Sequence, residues 1–230
     1  MIFRRAAAVS AAAAIAIGSI ALGWTPGAGT GARAGTNPIA ELFPLIFDSE
    51  WIRLAVIGDS LEVRGMYFLL CRERIGESIP LLYPFPRDST MGDARMVSLL
   101  VRQGSRAAPA FPGRWEELPY TSGVRWWIPP CQGDTLVAEA IYRQKISPGY
   151  ARYIVTSTRG WGRPLRRAEF EIRLPLHAVP LDFSFPFERR QNGTDVFYSY
   201  TATAFFPDRD IVVRWKPSGN TGPPAMGMPR

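Results

Sequence analysis

Residues 150–174 read YARYIVTSTRGWGRPLRRAEFEIRL. The segment opens on a β-branched run, passes through a link rich in Gly, Arg and Pro, and ends on an alternating run. In that last run Ala168, Phe170, Ile172 and Leu174 fall on one side of a period-2 pattern, and Glu169, Glu171 and Arg173 fall on the other. This is how a half-buried strand reads. Trp161 stands in the link between two glycines. The stretch predicts an antiparallel sheet with one wet face.

The same punctuation recurs on either side. From Trp51 an apolar run reaches Ile57, and Gly58-Asp59-Ser60 then separates it from a second run that starts at Leu61 and extends to Cys71. A Gly/Asp/Ser cluster between two apolar runs predicts a hairpin. Residues 79–85 carry Pro80 and Pro84, which suits an edge or bulged strand. Further strands are expected at 95–102, 124–128, 135–145, 195–206 and 211–215. Leu181, Phe183, Phe185 and Phe187 alternate with polar or proline neighbours and predict one more. The expected fold class is all-β, an antiparallel β-sandwich of roughly ten strands. Two smaller sandwiches divided near Lys145 are the alternative. No repeat of fixed period stands out.

The chain has 230 residues, 47% apolar and 12% aromatic, enough to bury a real core and too apolar for global disorder. Arg4 and Arg5 precede an uncharged, largely apolar stretch over 6–24, and Ala32-Arg33-Ala34 follows as an A-x-A pattern. That order is the signature of a secretory signal peptide. The expected organisation is a signal peptide over 1–34, a linker over 35–48, a β-sandwich domain over 49–216 and a disordered tail over 217–230. An uncleaved anchor competes with cleavage, since 6–24 is close to the length of a membrane span. A twin-arginine leader fits less well, because Ala6-Ala7-Ala8 stand where Phe-Leu is expected.

Basic residues number 27 and acidic ones 20. Loss of 1–34 removes Arg4, Arg5 and Arg33, leaving a mild excess with the signs interleaved. Nucleic acid wants a basic stripe, and none is present. Cys71 and Cys131 are the two cysteines, and in an exported chain an even count predicts a disulfide. Two buried thiols that never meet are the alternative. No cofactor or metal is read, because two cysteines and the single His177 are too small a ligand set.

Val56-Ile57-Gly58-Asp59-Ser60-Leu61 resembles the nucleophile block of the GDSL family of esterases and lipases, and the resemblance would make Ser60 the nucleophile. A serine needs a base within hydrogen-bond reach. The family draws it from an Asp-x-x-His block, but here Leu174 stands three residues before His177. The family's Gly-x-Asn-Asp block is missing as well. Carboxylate pairs such as Asp208 with Asp210, or Glu116 with Glu117, read as surface acids. The aromatics offer more: Trp126, Trp127, Trp161, Tyr120 and Tyr153 could form a binding patch, since Trp and Tyr are favoured anchors. Adjacent strand residues face opposite ways, so Trp126 and Trp127 cannot share one side.

Leu81-Leu82-Tyr83-Pro84-Phe85-Pro86 together with 153–161, YIVTSTRGW, is similar to exported bacterial β-rich proteins of unknown function. The resemblance implies a sandwich and an envelope location and brings no catalytic residues. The expected function is an exported non-catalytic binding or structural module of the bacterial cell envelope, periplasmic or extracellular. Its partner would be an envelope protein or a glycan, with no nucleic acid, and with membrane contact only through an uncleaved N-terminal segment. A carbohydrate-binding module using the aromatic patch is the sharper alternative, and a GDSL-like esterase using Ser60 the other.

Overall fold

The computed structural model describes residues 44–119, 122–175, 178–192 and 195–216. The expected signal peptide over 1–34 and disordered tail over 217–230 lie outside them, as do Tyr120 and His177. Strands make up most of the described chain and helix is almost absent, so the all-β expectation holds.

The organising unit is the hairpin of β1 (Leu45–Ile57) and β2 (Ser60–Cys71). Its strands pair from Leu45↔Cys71 to Ile57↔Ser60, with a bulge between Phe47 and Ser49. Gly58 takes φ +61°, the left-handed value that glycine adopts without steric cost. The first strand starts at Leu45, inside the stretch expected to be linker, because Leu45, Ile46 and Phe47 are buried.

The hairpin sits in the middle of an eight-stranded sheet. On one side come β10 (Leu165–Arg173), β13 (Asp195–Phe205) and β12 (Glu188–Asn192). On the other come β8 (Thr135–Ile146), β4 (Met91–Gln103) and the short β5 (Phe111–Pro112). Two three-stranded sheets complete the fold. One holds β11 (Val179–Phe183), β14 (Ile211–Lys216) and β9 (Tyr150–Tyr153), in that order. The other runs β3 (Ile79–Pro84), β7 (Gly123–Ile128), β6 (Trp115–Glu117). The proline-bearing β3 lies at an edge, as expected.

The expectation of a purely antiparallel arrangement needs correction, because β1 and β10 run parallel, from Ser49↔Arg167 to Ala55↔Arg173. Residues 150–174 are also not one ribbon. β9 pairs with β14 while β10 joins the large sheet, and a 3-10 turn at Thr156–Trp161 lies between them. The β-branched run leaves the strand because the Asp210 carboxylate accepts the backbone N–H groups of Val155 and Thr156, both at 3.2 Å. That contact replaces ladder bonds these amides would otherwise need. The alternation over 181–187 also stops early: β11 ends at Phe183, and the Ser184 hydroxyl accepts from Val212 N–H at 2.8 Å. Phe185 and Phe187 then pack against the core from a turn rather than a strand.

Inward residues of all three sheets share one hydrophobic cluster, in which Ile52, Leu61, Val63, Leu136, Tyr142, Leu165 and Ile172 are fully buried. Each of the aliphatic ones stabilises the fold by about 1.5–3 kcal/mol relative to exposure. Because the large sheet takes strands from both sides of Lys145, its core is continuous across that position. Cys71 and Cys131 form a disulfide with Cα atoms 6.3 Å apart. It fastens the end of β2 to the link between β7 and β8, beside backbone bonds joining Ile75 and Cys131 at 2.8 and 3.1 Å. Among the described residues no helix is long and apolar enough to cross a membrane.

Candidate functional site

The large sheet has two faces of different chemistry, and β2 explains both. Its stretch Met66-Tyr67-Phe68-Leu69-Leu70-Cys71 is apolar at six consecutive positions. Strand residues alternate between faces, so Tyr67, Leu69 and Cys71 point into the core and Met66, Phe68 and Leu70 point away from it.

On the outer face the register builds transverse rows. One row runs Arg167, Ser49, Phe68, Val137, Arg102, and the next runs Glu169, Trp51, Met66, Glu139, Leu100. Trp51, Met66, Phe68 and Leu70 form the floor of a groove of about 780 Å³, within the usual range for small-molecule sites. Asp48, Arg166, Arg167 and Glu169 line one side, and Arg106 and Thr135 line the other. Arg166 grips the Asp48 carboxylate with contacts of 2.8, 3.1 and 3.2 Å, and this hydrogen bonding holds the carboxyl below its ordinary pKa. Arg167 pairs with Glu169 at 2.7 Å. These half-exposed pairs add little stability, but they neutralise the wall they form.

Behind the floor lies a buried acid. Glu50 borders the groove, yet it shares an inward row with Ala168, Tyr67 and Ala138. It is 3% exposed, and its Oε1 has no hydrogen-bond partner among the described residues. Burial pushes its pKa from an ordinary 4.5 up to about 8, because a charged carboxylate is costly away from water. Near it Tyr67 bonds through its hydroxyl to Tyr83, and to Tyr153 at 3.1 Å. Burial pushes the pKa values of Tyr67, Tyr83, Tyr142 and Tyr153 upward, so the cluster is neutral. Tyr67 folds back over Gly65, where a Cβ would overlap its hydroxyl.

The five aromatics singled out in the sequence do not make one exposed platform. Trp126 is 6% exposed and Tyr153 is 4% exposed, both in the core. Trp161 is half-buried, edge-on to Phe47 with ring centroids 5.7 Å apart. Trp127 faces the other way from Trp126, as the alternation requires, and the Arg114 guanidinium stacks on it at 4.1 Å. Tyr120 lies outside the described residues. Ser60 opens β2 directly after the turn, and its hydroxyl donates to Asp59 Oδ1 at 2.9 Å. The motif there is a strand–turn–strand corner, and His177, the chain's single histidine, lies outside the described residues. No group of three His, Cys, Asp or Glu is placed to hold a metal ion among the described residues.

Sequence reading missed Trp51, Met66, Phe68 and Leu70 as a surface and Glu50 as a core residue. The signal for the first was present: a strand apolar at consecutive positions needs cover, or a ligand, on both faces. For the second, the inward set Ile52, Leu54, Val56 extrapolates back to position 50.

No protein-family model matches the chain, and no curated protein matches it closely enough to count as a relative. Solved structures resemble it at low identity. A candidate nutrient binding protein from Legionella pneumophila aligns at 13% identity and TM-score 0.53, over 74% of this chain and 66% of that one. An M1 zinc metallopeptidase from Deinococcus radiodurans aligns at 17% identity and TM-score 0.44, over 74% of this chain and 42% of that one. The chain thus spans less than two thirds of either structure, and the likeness to the first is one of fold alone.

Proposed function

We propose that the chain is an exported, non-catalytic binding module of the bacterial cell envelope, a β-sandwich that receives its ligand in the groove over β1, β2 and β10. One observation carries this reading: the outward face of the central strand β2 is apolar at Met66, Phe68 and Leu70 beneath charged walls. A purely structural sheet with one wet face would place polar side chains there. The disulfide fits an oxidising compartment, and the charged start followed by an apolar stretch over 6–24 supports export. The hydroxyl of Ser60, bonded to its neighbour Asp59 on a hairpin corner, supports a binding rather than an esterase role.

The test is mass spectrometry of small molecules that co-purify with the protein from an envelope fraction, compared with a Phe68→Arg variant of unchanged circular dichroism. A compound retained by the wild type and lost from the variant is the expected result. Equal ligand profiles, or recovery of the protein from the cytoplasm with its leader intact, would overturn the reading.

A further inference from the structure

Resting on that reading, we propose that the groove takes an amphiphile with an unbranched aliphatic chain and a single carboxylate head, the chain lying along β2 and the head meeting Arg106. The floor has the shape for such a chain. Met66, Phe68 and Leu70 are spaced two residues apart on one face of one strand, a continuous apolar strip about 13 Å long. Met66 is 8% exposed, sheltered although it faces outward. Trp51 flanks the strip at the Met66 end, where the two residues pair across the hairpin.

A sugar would need flat faces, and this floor offers few. Met66 and Leu70 have none, and the Arg53 guanidinium already lies 5.1 Å from the Trp51 ring centroid. An aliphatic chain needs only apolar area and a flexible thioether to mould around it.

The charges place the head. On the β10 side both arginines are matched, Arg166 by Asp48 and Arg167 by Glu169. Among the described residues Arg106 has no carboxylate partner, so the lining carries one cation more than its ionised acids can neutralise. Glu50, the remaining acid in the lining, stays protonated at neutral pH and does not offset it. The position of Arg106 is fixed rather than accidental. Gly104 N–H donates to the Thr135 carbonyl at 2.7 Å, and the Arg102 guanidinium donates to the Arg106 carbonyl. These contacts anchor the loop at the Leu70–Thr135 end of the strip, since Leu70 and Thr135 are paired. A carboxylate there completes the rim, while the chain runs back toward Met66 and Trp51.

The experiment is titration calorimetry of the purified protein with dodecanoate, with dodecanol and with a neutral oligosaccharide, each lipid below its micellar concentration. It is repeated on Arg106→Ala, Phe68→Ser and Leu70→Ser, two floor variants guarding against one that folds poorly. Dodecanoate is expected to bind at one site, and dodecanol about tenfold or more weaker, the scale of one lost charge contact. Arg106→Ala should lower dodecanoate affinity to the level of dodecanol and leave dodecanol unchanged. Both floor variants should weaken the two lipids alike. Equal affinity for the acid and the alcohol, or an Arg106→Ala variant that binds as wild type, overturns the head-group assignment. Binding of the oligosaccharide, and not the lipids, in a manner lost on Phe68→Ser overturns the ligand class while sparing the groove as a site. Floor variants that bind every ligand as wild type overturn the groove itself.

Discussion

Replacing Glu50 by Gln removes a proton-binding group from the core at nearly constant shape, and its effect depends on pH in a way the structure dictates. The folded protein holds the Glu50 proton up to about pH 8, whereas an ordinary carboxyl releases it near 4.5. Below pH 4.5 both states are protonated and the folded state carries no penalty from the charge. As pH rises the unfolded chain ionises first, so unfolding becomes easier by about 1.4 kcal/mol per pH unit. The loss continues until the folded pKa is passed and then levels off. Between pH 5 and pH 8 it amounts to about 4 kcal/mol, a large share of a domain's stability. The variant has no such proton to lose. Urea unfolding at pH 5, 6, 7 and 8, read by tryptophan fluorescence, should therefore show wild-type stability falling steeply relative to Glu50→Gln. The difference between the proteins cancels any contribution from His177 and the surface acids. Asp48, Glu62 and Asp88 have lowered pKa values and act at the acid end, and the raised tyrosines act only in alkali. Parallel stability curves for the two proteins across this range would refute the placement of Glu50 as a buried neutral acid.

Gly65→Ala places a Cβ against the Tyr67 hydroxyl, so the ring must move and its bonds to Tyr83 and Tyr153 stretch; overpacking of this kind costs about 1–3 kcal/mol. A thermal midpoint and near-ultraviolet circular dichroism equal to wild type would count against it. Asp210→Ala deletes the acceptor for Arg152 at 2.9 Å and the Thr156 hydroxyl at 2.7 Å, together with the two backbone amides. The expected loss is about 2–3 kcal/mol, with faster hydrogen exchange at Val155 and Thr156; unchanged exchange there contradicts the role given to the carboxylate. The double change Cys71→Ser, Cys131→Ser opens a loop of sequence separation 60 and should cost roughly 2–4 kcal/mol in denaturant titration. Mass spectrometry without reductant should find the wild type two hydrogens lighter than its reduced form.

Local patterns were legible in the sequence where one strand and its immediate turn decide the outcome. The hairpin around Gly58 and Asp59 is one such case, and the edge position of the proline-bearing β3 is another. The opposition of Trp126 and Trp127 followed from strand alternation alone. Which sheet a strand joins was not legible, since pairing depends on partners far along the chain. Thus β9 and β10 look like one ribbon until Asp210, more than fifty residues from Val155, is seen to cap the run between them. The groove was half legible. The unbroken apolar run in β2 marks two covered faces, but pairing it with Trp51 needs the register, and the register carries a bulge at Asp48 that no local pattern announces. Glu50 was hidden for a chemical reason: a carboxylate usually marks the wet side of a strand, and here it occupies the dry one.

The parallel pairing of β1 with β10 sets the order in which the molecule can be assembled. The first strand receives β2 at once from the hairpin, but its other edge has no partner until residues 165–173 are available. A polypeptide emerging from a ribosome or a translocon must therefore wait for most of its length while a thirteen-residue, largely apolar strand stands open along one side. Such an edge invites pairing with other chains, and long-range closure of this kind is slow. Fragments ending before Leu165 should aggregate rather than fold, and handling of the nascent protein by a holding chaperone becomes a condition of its yield.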